Sequence, residues 1–425
     1  MAESAMPSTL WPLVGALLLG IALVIVSCAI REWFSEARSA KRRGFERLRL
    51  TEVALSAAKS ARKKTVINLG WTGLRKFVVH RRESENADIC SFYLRPQDEK
   101  NLPGFKPGQY LTFQIQMEGT SKPLVRCYSL SDAPGLDHYR VSIKRVPAPR
   151  DRPKALPGLG SNFFHDRVLQ GDVLDVKAPA GHYFLHETDP RPVCLLSAGI
   201  GITPVLSMLI HLTRERTDRE IWFFHGVREG RELVHVKTLR AIANANPNVH
   251  LHICFSNPGP ADQVGRDFDH IGRVSAELLQ RMLGVNRHTY YLCGPGPFME
   301  SLTTGLEAWG VPKTDVHFES FGPSTVNRKS SLNTPAATLG TALDISFSRT
   351  RKTVAWEASC ATLLDFADKI GVAISSGCRA GNCGTCLTPI MAGEVEYLQP
   401  PGVPPEPGYC LVCIARPKTN LVLDS

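Results

Sequence analysis

The spacing of hydrophobic residues changes character along this chain, and each change predicts a different element. Residues 10–30 contain no charged residue. At ~1.5 Å per residue such a run spans a hydrocarbon core of about 30 Å, which predicts a transmembrane helix. Hydrophobic and polar positions then alternate at 110–115 and 141–145, as expected of half-buried antiparallel strands. Residues 193–197 are instead apolar up to the closing Ser197, and lead through a glycine turn into a helical pattern carried by Met208, Leu209 and Leu212. Similar strands at 221–226, 250–255 and 290–293 predict a parallel sheet covered on both faces. Near the C-terminus, 343–347 and 353–356 alternate like a hairpin and 363–370 reads as a helix.

Charge sharpens the first of these elements. A net charge of +10 would suit a nucleic-acid partner, but residues 31–82 hold 15 Lys and Arg against 4 Glu, while residues 83–425 hold 35 basic and 35 acidic residues. All the excess therefore lies beside the apolar run, in a charged stretch that suits anionic lipid and equally reads as a solvated spacer helix, and no nucleic-acid partner is expected. The first nine residues carry Glu3 and no Lys or Arg, unlike the basic start of a cleavable signal peptide. Arg31, Arg38, Lys41, Arg42 and Arg43 follow the run, so the positive-inside rule places the N-terminus outside and the rest in the cytoplasm, as for a bacterial inner-membrane protein. The twelve cysteines agree, because most stand singly in apolar contexts rather than in a disulfide framework.

Cys378, Cys383 and Cys386 stand in the C-x4-C-x2-C spacing of a [2Fe-2S] site, with Cys410 or Cys413 as the fourth thiolate. A zinc knuckle is the alternative use of such a set. Gly377, Gly381 and Gly384 let backbone amides approach the cluster sulfides.

Two further constellations lie upstream. Arg126-Cys127-Tyr128-Ser129 ends a strand paired in pattern with the one beginning at Tyr110; its Arg suits a flavin phosphate, Tyr128 a flanking position and Ser129 the ring edge. Gly160 and Ser161 open a short helix and present amides and a hydroxyl to a phosphate. Gly199-Ile200-Gly201-Ile202-Thr203-Pro204 follows a buried strand and starts a helix, a place for a pyrophosphate, with Thr203 expected as the cap. Pro204 replaces the third glycine of the ordinary dinucleotide fingerprint. Beyond the second strand, Glu229 suits a ribose 2′-hydroxyl and Arg228 or Arg231 a 2′-phosphate, a balance leaning to NADH over NADPH.

In this order the motifs resemble the ferredoxin-NADP reductase superfamily, particularly the reductase half of flavohaemoglobins and the phthalate or vanillate oxygenase reductases, followed by a plant-type ferredoxin. The resemblance covers about 72–425. It implies an antiparallel β-barrel in which Tyr110, Arg126, Cys127, Tyr128, Ser129, Lys144, Gly160 and Ser161 contact FAD (FMN being less favoured). It also implies an α/β nucleotide domain whose Cys293-Gly294-Pro295 turn lies beside the nicotinamide, and a Glu319-to-Pro323 segment, with Phe321 and Gly322, that returns over the flavin. Ser129, Cys293 and Glu319 are the candidate catalytic residues, although Cys293 reads equally as a buried structural thiol. Residues 413–417 resemble the Cys-x-Ala-x-Pro strand of plant-type ferredoxins, which selects Cys413 as the fourth ligand in an α+β β-grasp domain.

The expected layout is a transmembrane anchor (1–34), a basic juxtamembrane linker (35–71), a flavin barrel (72–188), a nucleotide domain (189–322), a polar linker (323–340) and a ferredoxin domain (341–425). Electrons would run from NAD(P)H to flavin to cluster to a one-electron acceptor: an oxygenase, demethylase, hydroxylase or desaturase. A subunit of a respiratory quinone-reducing complex is a second expectation, disfavoured because its ferredoxin ordinarily precedes the flavin domain; a non-enzymatic redox-sensing membrane adaptor is a third. Residues 31–70 are too few for a globin, so nitric oxide dioxygenase activity is not expected.

Overall fold

The computed structural model describes residues 70–119, 123–148, 157–321, 343–381, 384–398, 401 and 405–425. The expected membrane anchor, the juxtamembrane stretch as far as residue 69 and the polar linker, with Gly322 and Cys383, lie outside the described residues. Among those described, no helix is long and apolar enough to cross a membrane.

Strands β1 (Arg75–Ser84), β2 (Ile89–Pro96), β3 (Tyr110–Ile115), β4 (Leu124–Ser129), β5 (Tyr139–Lys144) and β6 (Val173–Ala180) form one antiparallel sheet, in the order β4-β3-β6-β1-β2-β5. A bridge between Leu130 and Val141 joins its two edges and closes it into a barrel. The bridge lies just beyond the end of β4, and along their lengths β4 pairs only with β3 and β5 only with β2. The interior is filled by Phe77, Phe92, Leu111, Phe113 and Val141, and helix α1 (Leu159–Asp166) plugs one side with Phe164.

The next sheet is parallel. Strands β7 (Val193–Ala198), β8 (Ile221–Val227), β9 (Val249–Phe255), β10 (His270–Ile271), β11 (Thr289–Gly294) and β12 (Val316–Ser320) lie in the order β10-β9-β8-β7-β11-β12. Helices α2 (Ile202–Arg214), α3 (Val236–Ala245), α4 (Ala276–Leu283) and α5 (Gly296–Ala308) connect the strands. Strand order reverses between β7 and β11, and the crevice at such a switch point is where open α/β sheets bind ligands. Barrel residues Ile89, Tyr183 and Leu185 share a core with α2, and Ser207 on α2 donates to the Asp132 carbonyl at 2.7 Å, so the two domains are packed together.

The C-terminal sheet contains β13 (Asp344–Phe347), β14 (Lys352–Ala355), β15 (Leu387–Ala392), β17 (Tyr409–Leu411) and β19 (Leu421–Leu423), in the order β14-β13-β19-β15-β17. Strands β16 (Val395–Tyr397) and β18 (Ala415–Pro417) pair separately. The predicted hairpin is β13 and β14, antiparallel, and the predicted helix is α6 (Leu363–Lys369), whose Thr362 cap accepts from the Asp365 amide at 3.1 Å. Leu363, Leu364 and Phe366 of α6 pack on Ile345, Phe347 and Leu423.

Candidate redox site

The pleat of β4 divides the Arg-Cys-Tyr-Ser motif between two faces. Arg126 and Tyr128, two residues apart on the strand, meet Gly160 and Phe164, four residues apart on α1. A Cβ on Gly160 would lie 2.6 Å from Arg126 Cγ, and the Tyr128 and Phe164 rings stand edge-on at 5.2 Å. Two residues of strand and four of helix both advance about 6–7 Å, so the pairs stay in step. Cys127 and Ser129 point the other way: the Cys127 thiol lies 3.4 Å from Thr112 Oγ1, and Ser129 Oγ donates to Glu319 Oε2 at 3.3 Å. Arg126 thus stands at the first turn of α1, while Ser129 stands at β12. Burial raises the Tyr128 phenol well above its ordinary value, so it stays neutral.

Tyr110 is buried with its ring over Gly181, where a Cβ would lie 2.7 Å from Cε1; Gly181 has φ +114°, which favours glycine. Lys144 is half-buried at the end of β5. Ser161 corrects one expectation. Its hydroxyl donates to the Gly158 carbonyl at 3.1 Å and accepts from the Val146 amide at 3.2 Å, so it is committed to the turn rather than free for a phosphate. What remains for a phosphate is the first-turn backbone of α1, whose N-cap Gly158 supplies no side-chain bond.

At the switch point the two glycines serve different needs. Gly199 has φ +53° with open space around its missing Cβ, whereas a Cβ on Gly201 would sit 2.2 Å from the Cys293 carbonyl oxygen. Gly201 is there because the β7 turn and the end of β11 touch backbone to backbone. Ile202, Thr203 and Pro204 are buried and Ile200 is partly buried, so this turn can offer a pyrophosphate its backbone. Thr203 does not cap α2: its hydroxyl donates back to the Ile200 carbonyl at 3.2 Å, and the N-cap, Gly201, has no side chain. A Cβ on Gly294 would lie 2.6 Å from Phe298, and Pro295 is the N-cap of α5, again without a side-chain bond.

Cys293 is fully buried, and burial, then the neighbouring Glu319, raises its thiol well above the ordinary value. Glu319 is its cross-strand partner; burial raises that carboxyl to about 8, with the Ser129 bond pulling the other way. Ser129, Cys293 and Glu319 are therefore brought together, and Phe321 follows β12 half-buried. Tyr183 joins them unforeseen. Its hydroxyl is buried without a hydrogen-bond partner, and burial followed by Cys293 and Glu319 raises it. An apolar barrel segment gave no sign that Tyr183 would reach this point.

In the C-terminal domain Cys386 and Cys413 bring their sulfurs to 3.1 Å, and the Gly381 amide points at Cys413 Sγ at 3.3 Å. Gly381 and Gly384 both have positive φ, at +75° and +70°. Cys378 packs against the same core, whereas Cys410 is buried in β17 opposite Thr388. The loop therefore approaches Cys413 with a backbone donor, as a cluster-bearing thiolate requires. The Arg126 guanidinium also donates to the carbonyl of Gly377, the residue before Cys378, at 3.4 Å.

These residues fit the groups implied: a cation and the first-turn backbone of α1 for a flavin phosphate, the Ser129–Glu319 bond beside the unpartnered Tyr183 hydroxyl for the ring, and thiolates with a backbone donor for iron. Residues 76–185 match the oxidoreductase FAD-binding domain, 195–304 the oxidoreductase NAD-binding domain and 347–418 the 2Fe-2S iron-sulfur cluster binding domain. The chain is thus built from the FAD-binding and NAD-binding domains of an oxidoreductase and a 2Fe-2S cluster binding domain.

It is 38% identical over 255 residues to a flavohemoprotein of Halalkalibacterium halodurans, a match covering 60% of the chain and 61% of the relative. It spans about three fifths of the length of such curated relatives. The FAD/NAD-binding domain of a nitric oxide dioxygenase from Vibrio cholerae is 31% identical, with a TM-score of 0.52, covering 59% of this chain and all of that one. Phthalate dioxygenase reductase, a modular protein for electron transfer from pyridine nucleotides to [2Fe-2S], is 24% identical with a TM-score of 0.52. There the alignment covers 83% of this chain and 98% of the other, a likeness of fold that includes the C-terminal module.

Proposed function

We propose that this chain is a membrane-anchored reductase that takes electrons from NAD(P)H and passes them singly from its C-terminal module to an oxygenase, demethylase, hydroxylase or desaturase. The observation that carries the reading is Arg126, which stands over the first turn of α1 and also donates to the carbonyl preceding Cys378. One side chain joins the phosphate end of the flavin site to the cluster loop. Phthalate dioxygenase reductase, of similar fold, supports the same direction of flow.

When bound, the flavin and the [2Fe-2S] centre supply the conversion from two-electron to one-electron transfer. The chain's own residues position and insulate. Arg126 and the first turn of α1 hold the phosphate, and the backbone of Gly199 to Gly201 receives the pyrophosphate of the nicotinamide dinucleotide. Ser129 Oγ and Glu319 Oε2 hold a polar bond beside the buried Cys293 thiol and Tyr183 hydroxyl; Glu319, lifted to about 8, keeps a proton at neutral pH. Cys378, Cys383, Cys386 and Cys413 are the ligand set.

The uncharged run at 10–30 and the basic stretch after it support a single-pass anchor with the N-terminus outside and the redox domains in the cytoplasm, in a bacterial inner membrane. Purified full chain in detergent should bleach its flavin absorbance with NADH or NADPH and reduce ferricyanide; no bleaching by either sinks the reading. In carbonate-washed membranes the full chain should stay in the pellet, and a chain lacking residues 1–65 should not. Crosslinking in those membranes, followed by affinity capture, should yield a terminal oxygenase or desaturase.

A further inference from the structure

Where the backbone leaves β8, the turn from Arg228 to Glu232 lies at the position at which a doubly wound sheet meets the adenosine ribose of a dinucleotide. Both arginines there are already engaged. Arg228 Nε donates to Glu232 Oε1 at 2.6 Å, and Arg231 Nη2 lies 2.6 Å from Glu229 Oε1. The loop after β9 brings in a second carboxylate. Asp262 Oδ2 accepts from the amides of Gly259 at 2.7 Å and Gly230 at 3.2 Å. A Cβ on Gly259 would lie 3.5 Å from Asp262 Oδ2 and equally 3.5 Å from Glu229 Oε2, so the two carboxylates converge on one stretch of backbone. A Cβ on Gly230 would meet Asp262 Oδ1 at 2.5 Å, and glycine is what lets that carboxylate approach.

We propose that Glu229, backed by Asp262, makes this site select the nicotinamide dinucleotide whose adenosine ribose carries a free 2′-hydroxyl and reject the 2′-phosphorylated one. The inference rests on the reductase reading and deepens it. A 2′-hydroxyl donates to a carboxylate and asks for no cation. A 2′-phosphate brings a charge of about −1.5 to −2 against two carboxylates and finds both guanidinium groups paired. Asp262 serves as a positioning residue: through Gly230 and Gly259 it fixes the backbone on which Glu229 stands.

The test is calorimetric titration of the full chain with adenosine 5′-monophosphate and with adenosine 2′,5′-bisphosphate, beside ferricyanide reduction with NADH and NADPH. The 5′-monophosphate should bind about 10-fold or more tightly than the bisphosphate, and NADH should lead NADPH in kcat/KM by a similar factor. Glu229→Gln should bring both ratios to within about 3-fold, chiefly by improving binding of the phosphorylated partner. Equal binding of the two by the wild-type chain, the opposite preference, or an unchanged ratio in Glu229→Gln overturns the inference while leaving the reductase reading intact. Failure of both compounds to bind, together with no flavin bleaching by either nicotinamide, overturns the reductase reading and this inference with it.

Discussion

Ser129 and Glu319 meet at 3.3 Å although 190 residues separate them in sequence. One ends a strand of the barrel and the other lies in the last strand of the nucleotide sheet, so this bond is made across two domains. It holds a carboxyl that burial has raised to about 8, and its own effect opposes that rise.

Stability should carry the signature of that carboxyl. Its folded value of about 8 lies above the ordinary 4.5, so between these the native state binds a proton that the unfolded chain has lost. Stability should therefore fall as pH rises from about 4.5 to about 8 and level off above, by at most ~1.4 kcal/mol per pH unit. Urea midpoints measured across that range should slope in the wild type and flatten in Glu319→Gln. Ser129→Ala removes the opposing bond and should extend the slope to higher pH; parallel curves for all three chains would exclude Glu319 as the source.

Gly199 and Gly201 should respond differently to alanine. Gly201→Ala forces a methyl into the Cys293 backbone, where neither partner is a flexible side chain, and should cost ~3 kcal/mol or more. Gly199→Ala meets open space and only a left-handed backbone, costing about 1–2 kcal/mol. Thermal unfolding of the two variants ranks them, and equal losses would contradict the backbone contact.

Gly160→Ala should separate flavin retention from folding. The new methyl displaces the stem of Arg126, a flexible side chain, while alanine in a helix gains up to about 1 kcal/mol over glycine. Overpacking against Arg126 Cγ costs about 1–3 kcal/mol, partly offset by that helix gain, so the variant should still fold yet retain flavin about 10- to 100-fold more weakly, since a charge-assisted phosphate contact contributes roughly 1.5–3 kcal/mol. Flavin-to-protein absorbance ratios after gel filtration give the answer; undiminished flavin content would remove Arg126 from the phosphate site.

Cys413 and Cys410 are the last pair to separate. Cys413→Ser should abolish the visible absorbance and the reduced-state electron paramagnetic resonance signal of the cluster. Cys410→Ser should keep both and lose about 1–3 kcal/mol for a buried hydroxyl. The opposite pattern would transfer the fourth ligand to Cys410.

Elements with a strong period were legible from the sequence, among them β3, β7, the β13–β14 hairpin and α6, because burial on one face or both writes itself into neighbouring positions. The glycines of the two turns were legible as glycines, but the reason for Gly201 was not: it lies in the Cys293 carbonyl, 92 residues away. Thr203 read as a cap because threonine before a helical run ordinarily is one, yet a 3-10 turn at Gly199–Gly201 moves the helix start and turns the hydroxyl back on Ile200. Ser161 read as a phosphate ligand because nothing local announces the Val146 amide that claims its oxygen. Tyr183 and Asp262 went unnoticed for the same reason. Each acquires its role from residues that only the folded chain brings near.

The bond from Arg126 to the Gly377 carbonyl has a consequence for modularity. A side chain on the barrel grips main chain on the ferredoxin, and every residue type presents the same carbonyl at that place. The flavin side of this contact is therefore written in one amino acid, and the cluster side in none. A ferredoxin of foreign sequence but equal loop geometry offers the same handhold, so the C-terminal domain is exchangeable at this contact in a way the arginine is not.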